Sequence, residues 1–129
     1  MRLRYLTFDE VLAIHDRMIG VFGGEDGILS EGALENCVAL PMMSVFGVET
    51  SQSLWAKAAE LLYCIVTRHP FVDGNKRTGW AAAKVFLRLN GYALTAQAEE
   101  AEEVVLRVVQ GQTDCEALAE WMEGHASPA

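Results

Sequence analysis

Cysteine is scarce in this 129-residue sequence, and its three copies, Cys37, Cys64 and Cys115, stand far apart. They form neither a CxxC pair nor a histidine-cysteine ladder. That excludes a zinc ribbon or a dithiol redox motif and predicts three buried thiols. No apolar run approaches the roughly 20 residues that cross a bilayer, and no basic-apolar leader opens the chain. A cytoplasmic protein without a membrane partner is therefore expected. Positive charge is short as well: 10 Lys+Arg face 18 Asp+Glu, leaving a formal net charge of −8. Non-specific affinity for nucleic acid comes from cations that neutralise phosphates, so no direct nucleic-acid partner is expected. No segment repeats at a fixed period, and no low-complexity linker interrupts the chain.

What is present is a helical pattern. With 51% of its residues apolar, a chain of this length has room for one core, and we read 1–129 as a single all-α domain of about six helices. Thr7-Phe8-Asp9-Glu10 is a capping box that opens the first helix. Phe8, Val11, Leu12, His15, Met18, Ile19 and Phe22 then follow the spacing of one buried face, up to Gly23-Gly24. His15 on that face is expected to be a hydrogen-bonded core histidine rather than a catalytic group. Ser30 caps a second helix to about Leu40, which Pro41 terminates. Pro41 to Ser51 is apolar without helical period and predicts an ordered loop or short hairpin. Leu54 to Thr67 is apolar on nearly every side, with a narrow polar strip at Lys57 and Glu60, and so marks a central helix. Asn75 to Asn90 is helical again, with Thr78, Ala82, Val85, Phe86 and Leu89 as its inward stripe. Tyr92 to Leu94 is extended, Thr95 is a candidate cap for a glutamate-rich helix, and Thr113-Asp114-Cys115-Glu116 predicts a second capping box. His125 to Ala129 is expected to fray.

Between the two central helices lies the stretch His69-Pro70-Phe71-Val72-Asp73-Gly74-Asn75-Lys76-Arg77. Pro70 cannot continue a helix and forces His69 to its end. Asp73-Gly74 signals a turn, so Gly74 to Arg77 occupy the first turn of the next helix. Free amides there, the positive end of the helix dipole and two cations make an anion site suited to phosphate. Asp73 would repel that anion unless a divalent cation lay between them, and Mg2+ binds through one carboxylate with substrate phosphates and water. His69 has the residue type of a general base for an incoming hydroxyl. Phe71 is read as a structural anchor. Arg68, Lys76, Arg77, Lys84 and Arg88 form one basic island on an acidic protein, of which Lys84 and Arg88 are acceptable as a solvated helix face.

These residues match HxFx(D/E)GNxR, and the stretch resembles the signature of the Fic/Doc superfamily of nucleotide-dependent protein-modifying enzymes. Fic proteins that transfer AMP continue HxFx(D/E)GNGRxxR, whereas Lys76 and Trp80 stand where the glycine and the last arginine would be. The sequence NKRT is similar to the form found in Doc (death on curing) toxins, which act as protein kinases. Those toxins often carry Ala at the position of Gly74, so that position alone leans towards Fic. The similarity runs from about Tyr5 to Glu123 and includes the GGxxGI pattern at Gly23 to Ile28.

The resemblance implies an all-α Fic/Doc fold with ATP and Mg2+ as cofactors. It implies His69 as general base, Asp73 as Mg2+ ligand, and Gly74, Asn75, Lys76 and Arg77 as the nucleotide-phosphate site. Pro41 to Ser51 would be a flap that aligns the target segment, or else a cover for the core. The protein substrate would be a translation component, elongation factor Tu by family analogy, phosphorylated on a Ser or Thr hydroxyl. The alternatives are an AMP-transferring Fic enzyme and a non-catalytic binding protein. The inhibitory pattern (S/T)xxxE(G/N) is incomplete at both Glu35-Asn36 and Glu123-Gly124. A separate antitoxin is therefore expected, with a disordered tail that folds on binding.

Overall fold

The computed structural model describes residues 2–51 and 53–129, and among them six α-helices carry the fold. They are α1 (Phe8–Phe22), α2 (Glu31–Ala39), α3 (Leu54–Arg68), α4 (Asn75–Leu89), α5 (Ala98–Val109) and α6 (Cys115–Gly124). The strands are short. Here β1 (Ser44–Val45) pairs antiparallel with β2 (Val48–Glu49), and β3 (Tyr92–Leu94) with β4 (Ala126–Pro128). The all-α expectation holds, and the apolar stretch after α2 is a hairpin.

Helix α3 is the centre, packed against α2, α4, α5 and α6. It buries Ala58, Ala59, Leu61, Leu62, Ile65 and Val66, so both sides of the helix face protein. The α3–α4 approach is close because α4 offers small residues. A Cβ on Gly79 would stand 2.8 Å from Val66 Cγ2 and 3.3 Å from the Leu62 carbonyl oxygen. Helix α1 lies on the other side of α4 and begins with the expected box, the Thr7 hydroxyl accepting from the Glu10 amide while Glu10 accepts from the Thr7 amide.

Several expectations are corrected. Cys37 and Cys64 are buried but joined in a disulfide, because packing of α2 on α3 brings their Cα atoms to 5.4 Å across 27 residues of sequence. Cys115 remains a free thiol, pushed up from its ordinary value by burial. Lys57 is not on a polar strip: it is 1% exposed, and its ammonium donates to the Pro41 carbonyl at 2.7 Å with Glu49 Oε2 at 3.5 Å. Helix α2 does end before Pro41, as expected, and a single 3-10 turn, Leu40–Met42, follows it. Asn75, Gly79, Ala83 and Leu87 join the buried stripe of α4, while Val85 and Leu89 are exposed. Phe22, expected on the buried face of α1, is 55% exposed. Gln97, not Thr95, is the N-cap residue of α5, and Thr95 instead bonds the His125 carbonyl through its amide and hydroxyl. At α6 the cap is Asp114 rather than Thr113. Finally, 126–128 do not fray, because strand pairing with β3 satisfies their backbone. No helix of the described residues is long and apolar enough to cross a membrane.

Candidate functional site

The nine-residue stretch falls where the sequence placed it, in the turn from α3 to α4. Ile65 accepts the amide of His69, which ends α3 in the left-handed conformation (φ 50°, ψ 59°). That is an uncommon state for a residue with a Cβ, and it turns the chain away from the helix axis before Pro70. The imidazole of His69 is left exposed at the mouth of the turn.

Phe71 has no exposed surface and anchors the turn, its ring stacked at 3.8 Å on that of His15. Asn75 fixes its backbone. The Asn75 side-chain oxygen accepts from the Phe71 amide at 3.0 Å, and its NH2 donates to the Phe71 carbonyl at 2.9 Å. The side chain of Asn75 is thus committed to the loop, and only its backbone amide remains for a ligand. The segment before α2 braces the turn from the other side. The Pro70 carbonyl accepts from the amides of Leu29 and Ser30, and the Val72 amide donates to the Gly27 carbonyl.

These braces aim Asp73. Its carboxylate is exposed, with Oδ1 accepting from the Gly74 amide at 2.8 Å and Oδ2 from the Glu25 amide at 3.2 Å. The Glu25 amide, then that of Gly74, holds its pKa below the usual carboxylate value. Gly24 makes room for this seat: a Cβ there would lie 2.7 Å from Asp73 Oδ2. One ionised carboxylate, with lone pairs left over and solvent around it, is the donor set that Mg2+ uses together with substrate phosphates. The residues present fit that ion.

Helix α4 starts differently from α1, α2, α3 and α6. The side chains of Thr7, Ser30, Ser53 and Asp114 accept first-turn amides at the starts of α1, α2, α3 and α6. At α4 the cap is Gly74, left-handed at φ 79°, and among the described residues no side chain caps the first turn. The amides of Asn75, Lys76 and Arg77 are therefore free for an anion, at the positive end of the helix. Glycine at this position follows from its φ and from Ile19 Cδ1, which would lie 3.1 Å from a Cβ. Arg77 is stacked over the Phe22 ring at 4.3 Å, which holds its guanidinium in place.

All of this opens on one cleft of about 650 Å3, large enough for a nucleotide-sized ligand. His69 and Asp73 to Arg77 form one wall with Trp80, and α5 forms the other through Glu102, Val105 and Val109. The structure brings every predicted site residue, His69, Asp73, Gly74, Asn75, Lys76 and Arg77, to this cleft. Sequence reasoning missed Gly24 and the Glu25 amide, which seat Asp73, and the clamping role of the Asn75 side chain. The glycine-rich pattern at Gly23 to Ile28 was the available signal for the first two.

Comparison with known proteins shows the family. Residues 5–87 match the Fic/DOC family. A protein named Toxin Doc from Mycolicibacterium smegmatis is 41% identical over 110 residues, covering 84% of this chain and 85% of its own. Protein kinase doc of Escherichia phage P1 is 33% identical over 89 residues, covering 69% of this chain and 70% of its own. With the family matched across the His69-to-Arg77 stretch and helices α1 to α3, the chain belongs to the Fic/DOC family, on its Doc branch.

Proposed function

We propose that the chain is the toxin of a toxin-antitoxin pair and acts as an ATP- and Mg2+-dependent protein kinase on a Ser or Thr hydroxyl. The observation that carries this reading is the uncapped N-terminus of α4, which faces the same cleft as His69 and Asp73. It provides a phosphate cradle, a metal carboxylate and a base in one place. The names of the two relatives, a toxin and a protein kinase, support the same chemistry.

In this reading the free amides of Asn75, Lys76 and Arg77 and the Lys76 ammonium hold the terminal phosphates of ATP. Mg2+, held by Asp73, would offset their charge. His69 takes the proton of the target hydroxyl as its oxygen attacks the γ-phosphorus; the bond from that phosphorus to the bridging oxygen breaks, and ADP leaves. Such transfer is mostly positioning and charge stabilisation, which a small rigid turn can supply. Lys76 favours γ- over α-phosphorus, since its side chain occupies the space that a glycine would leave for an α-phosphate. Gly74 does not count towards AMP transfer, because backbone geometry alone accounts for it.

The exposed β1–β2 hairpin, with Phe46 fully exposed at its tip, is the segment we assign to aligning the target. Pairing of an extended segment along its free edge would supply main-chain hydrogen bonds. The family resemblance points to a translation component, elongation factor Tu, as the target, and to an antitoxin tail as the partner that restrains the enzyme. The reading is tested by incubating the protein with ATP, Mg2+ and that factor and measuring intact mass. A gain of one phosphoryl group is expected, abolished in His69→Ala with the melting temperature unchanged. Near wild-type activity in that variant would remove His69 from the role of base.

A further inference from the structure

Behind the motif, on the side away from the cleft, His15 is fully buried with one ring nitrogen unaccounted for. Its Nε2 lies 2.8 Å from the Asp73 backbone carbonyl oxygen, which can only accept, so Nε2 carries the proton. That leaves Nδ1 as the nitrogen open to a ligand, and this atom has no hydrogen-bond partner among the described residues. It points at two exposed carboxylates, Asp16 Oδ1 at 3.6 Å and Asp26 Oδ1 at 3.9 Å. Both distances are too long for a direct hydrogen bond, so the three atoms surround a gap that none of them fills. A cation bound there would take all three as ligands.

We propose that His15 Nδ1, Asp16 and Asp26 form a site for a divalent transition cation of the Zn2+ class, separate from the Mg2+ of the nucleotide cleft. The three donor atoms lie within 4.8 Å of one another. Ligands at Zn2+ distances sit about 3.3 Å apart around a tetrahedral ion, so turning the two solvent-exposed side chains by about 1 Å closes the site. One imidazole with two carboxylates suits Zn2+ and not Mg2+, which takes oxygen donors. The Nε2–H bond to a backbone carbonyl is the outer-shell contact that orients a ligating histidine and raises the basicity of its other nitrogen. Asp26 is also held, its Oδ1 accepting from the Gly27 amide at 2.8 Å. An ion here would tie α1 and the Gly24-to-Leu29 segment to the Asp73 backbone, bracing the motif from behind.

The test uses the full chain with Zn2+, in competition with a chromophoric chelator, and follows the His15 ring nitrogens by NMR. One equivalent is expected to bind and to move the Nδ1 resonance, with the Nε2 proton retained. The double variant Asp16→Asn/Asp26→Asn, which alters two exposed side chains, should weaken Zn2+ binding by about 100-fold or more with an unchanged melting temperature in the absence of metal. His69→Ala should bind as tightly as the parent. The proposal is overturned if no equivalent binds and Nδ1 faces water alone, if the double variant binds equally well, or if His69→Ala abolishes binding.

Discussion

Replacing Asn75 by alanine separates a clamp from a ligand. Its carboxamide satisfies both the amide and the carbonyl of Phe71, in a place where neither has another partner among the described residues. Alanine leaves two buried polar groups unpaired. At about 1–3 kcal/mol for each, the loss is about 2–6 kcal/mol, a large part of the 5–15 kcal/mol typical of a domain. For a domain of this size that corresponds to a fall in melting temperature on the order of 6–24 °C. Scanning calorimetry or dye-based melting of the free protein reads the effect directly. Activity should fall in parallel, because the Phe71 backbone sets the path of the chain into Asp73. Were the Asn75 side chain instead a phosphate ligand, Asn75→Ala would weaken nucleotide binding at an unchanged melting temperature. A shift within about 2 °C of the parent would therefore refute the clamp.

Two further substitutions probe the supports of the site. Gly24→Ala should displace the Asp73 carboxylate, since the new Cβ would overlap Oδ2, and should raise the Mg2+ concentration needed for half-maximal activity; an unchanged Mg2+ requirement would show that Gly24 has no part in seating Asp73. Lys57→Met keeps the buried volume but removes the donor to the Pro41 carbonyl and the partner of Glu49. Hydrogen exchange at 43–50 should rise several-fold, with global stability changed by about 1–3 kcal/mol at most, and unaltered exchange would mean that the hairpin is held by other contacts.

The helices and the site were legible because both depend on local chemistry. Capping boxes, the 3.6-residue period and the Pro70 and Gly74 breaks are written in neighbouring residues, and they place His69 at one helix end and Lys76 at the next helix start without any tertiary contact. What stayed hidden depends on contacts between distant segments. Lys57 read as polar strip because its partners, Pro41 and Glu49, reach it only once the hairpin folds back on α3. The Cys37–Cys64 bond needs α2 packed on α3. The tail beyond α6 looked free because its pairing strand, β3, lies more than thirty residues earlier. Asn75 read as a ligand because its family motif marks the residue, whereas its side-chain partner is visible only in the folded turn.

Transfer of the γ-phosphorus, and not the α-phosphorus, is read by running the reaction in parallel with ATP labelled at one or the other. With Mg2+ and the target protein, label from the γ-position should appear on the target and ADP in solution, and Lys76→Gly should lower that yield. Label from the α-position on the target, with pyrophosphate released by the unmutated protein, would make the enzyme an AMP transferase and not a kinase.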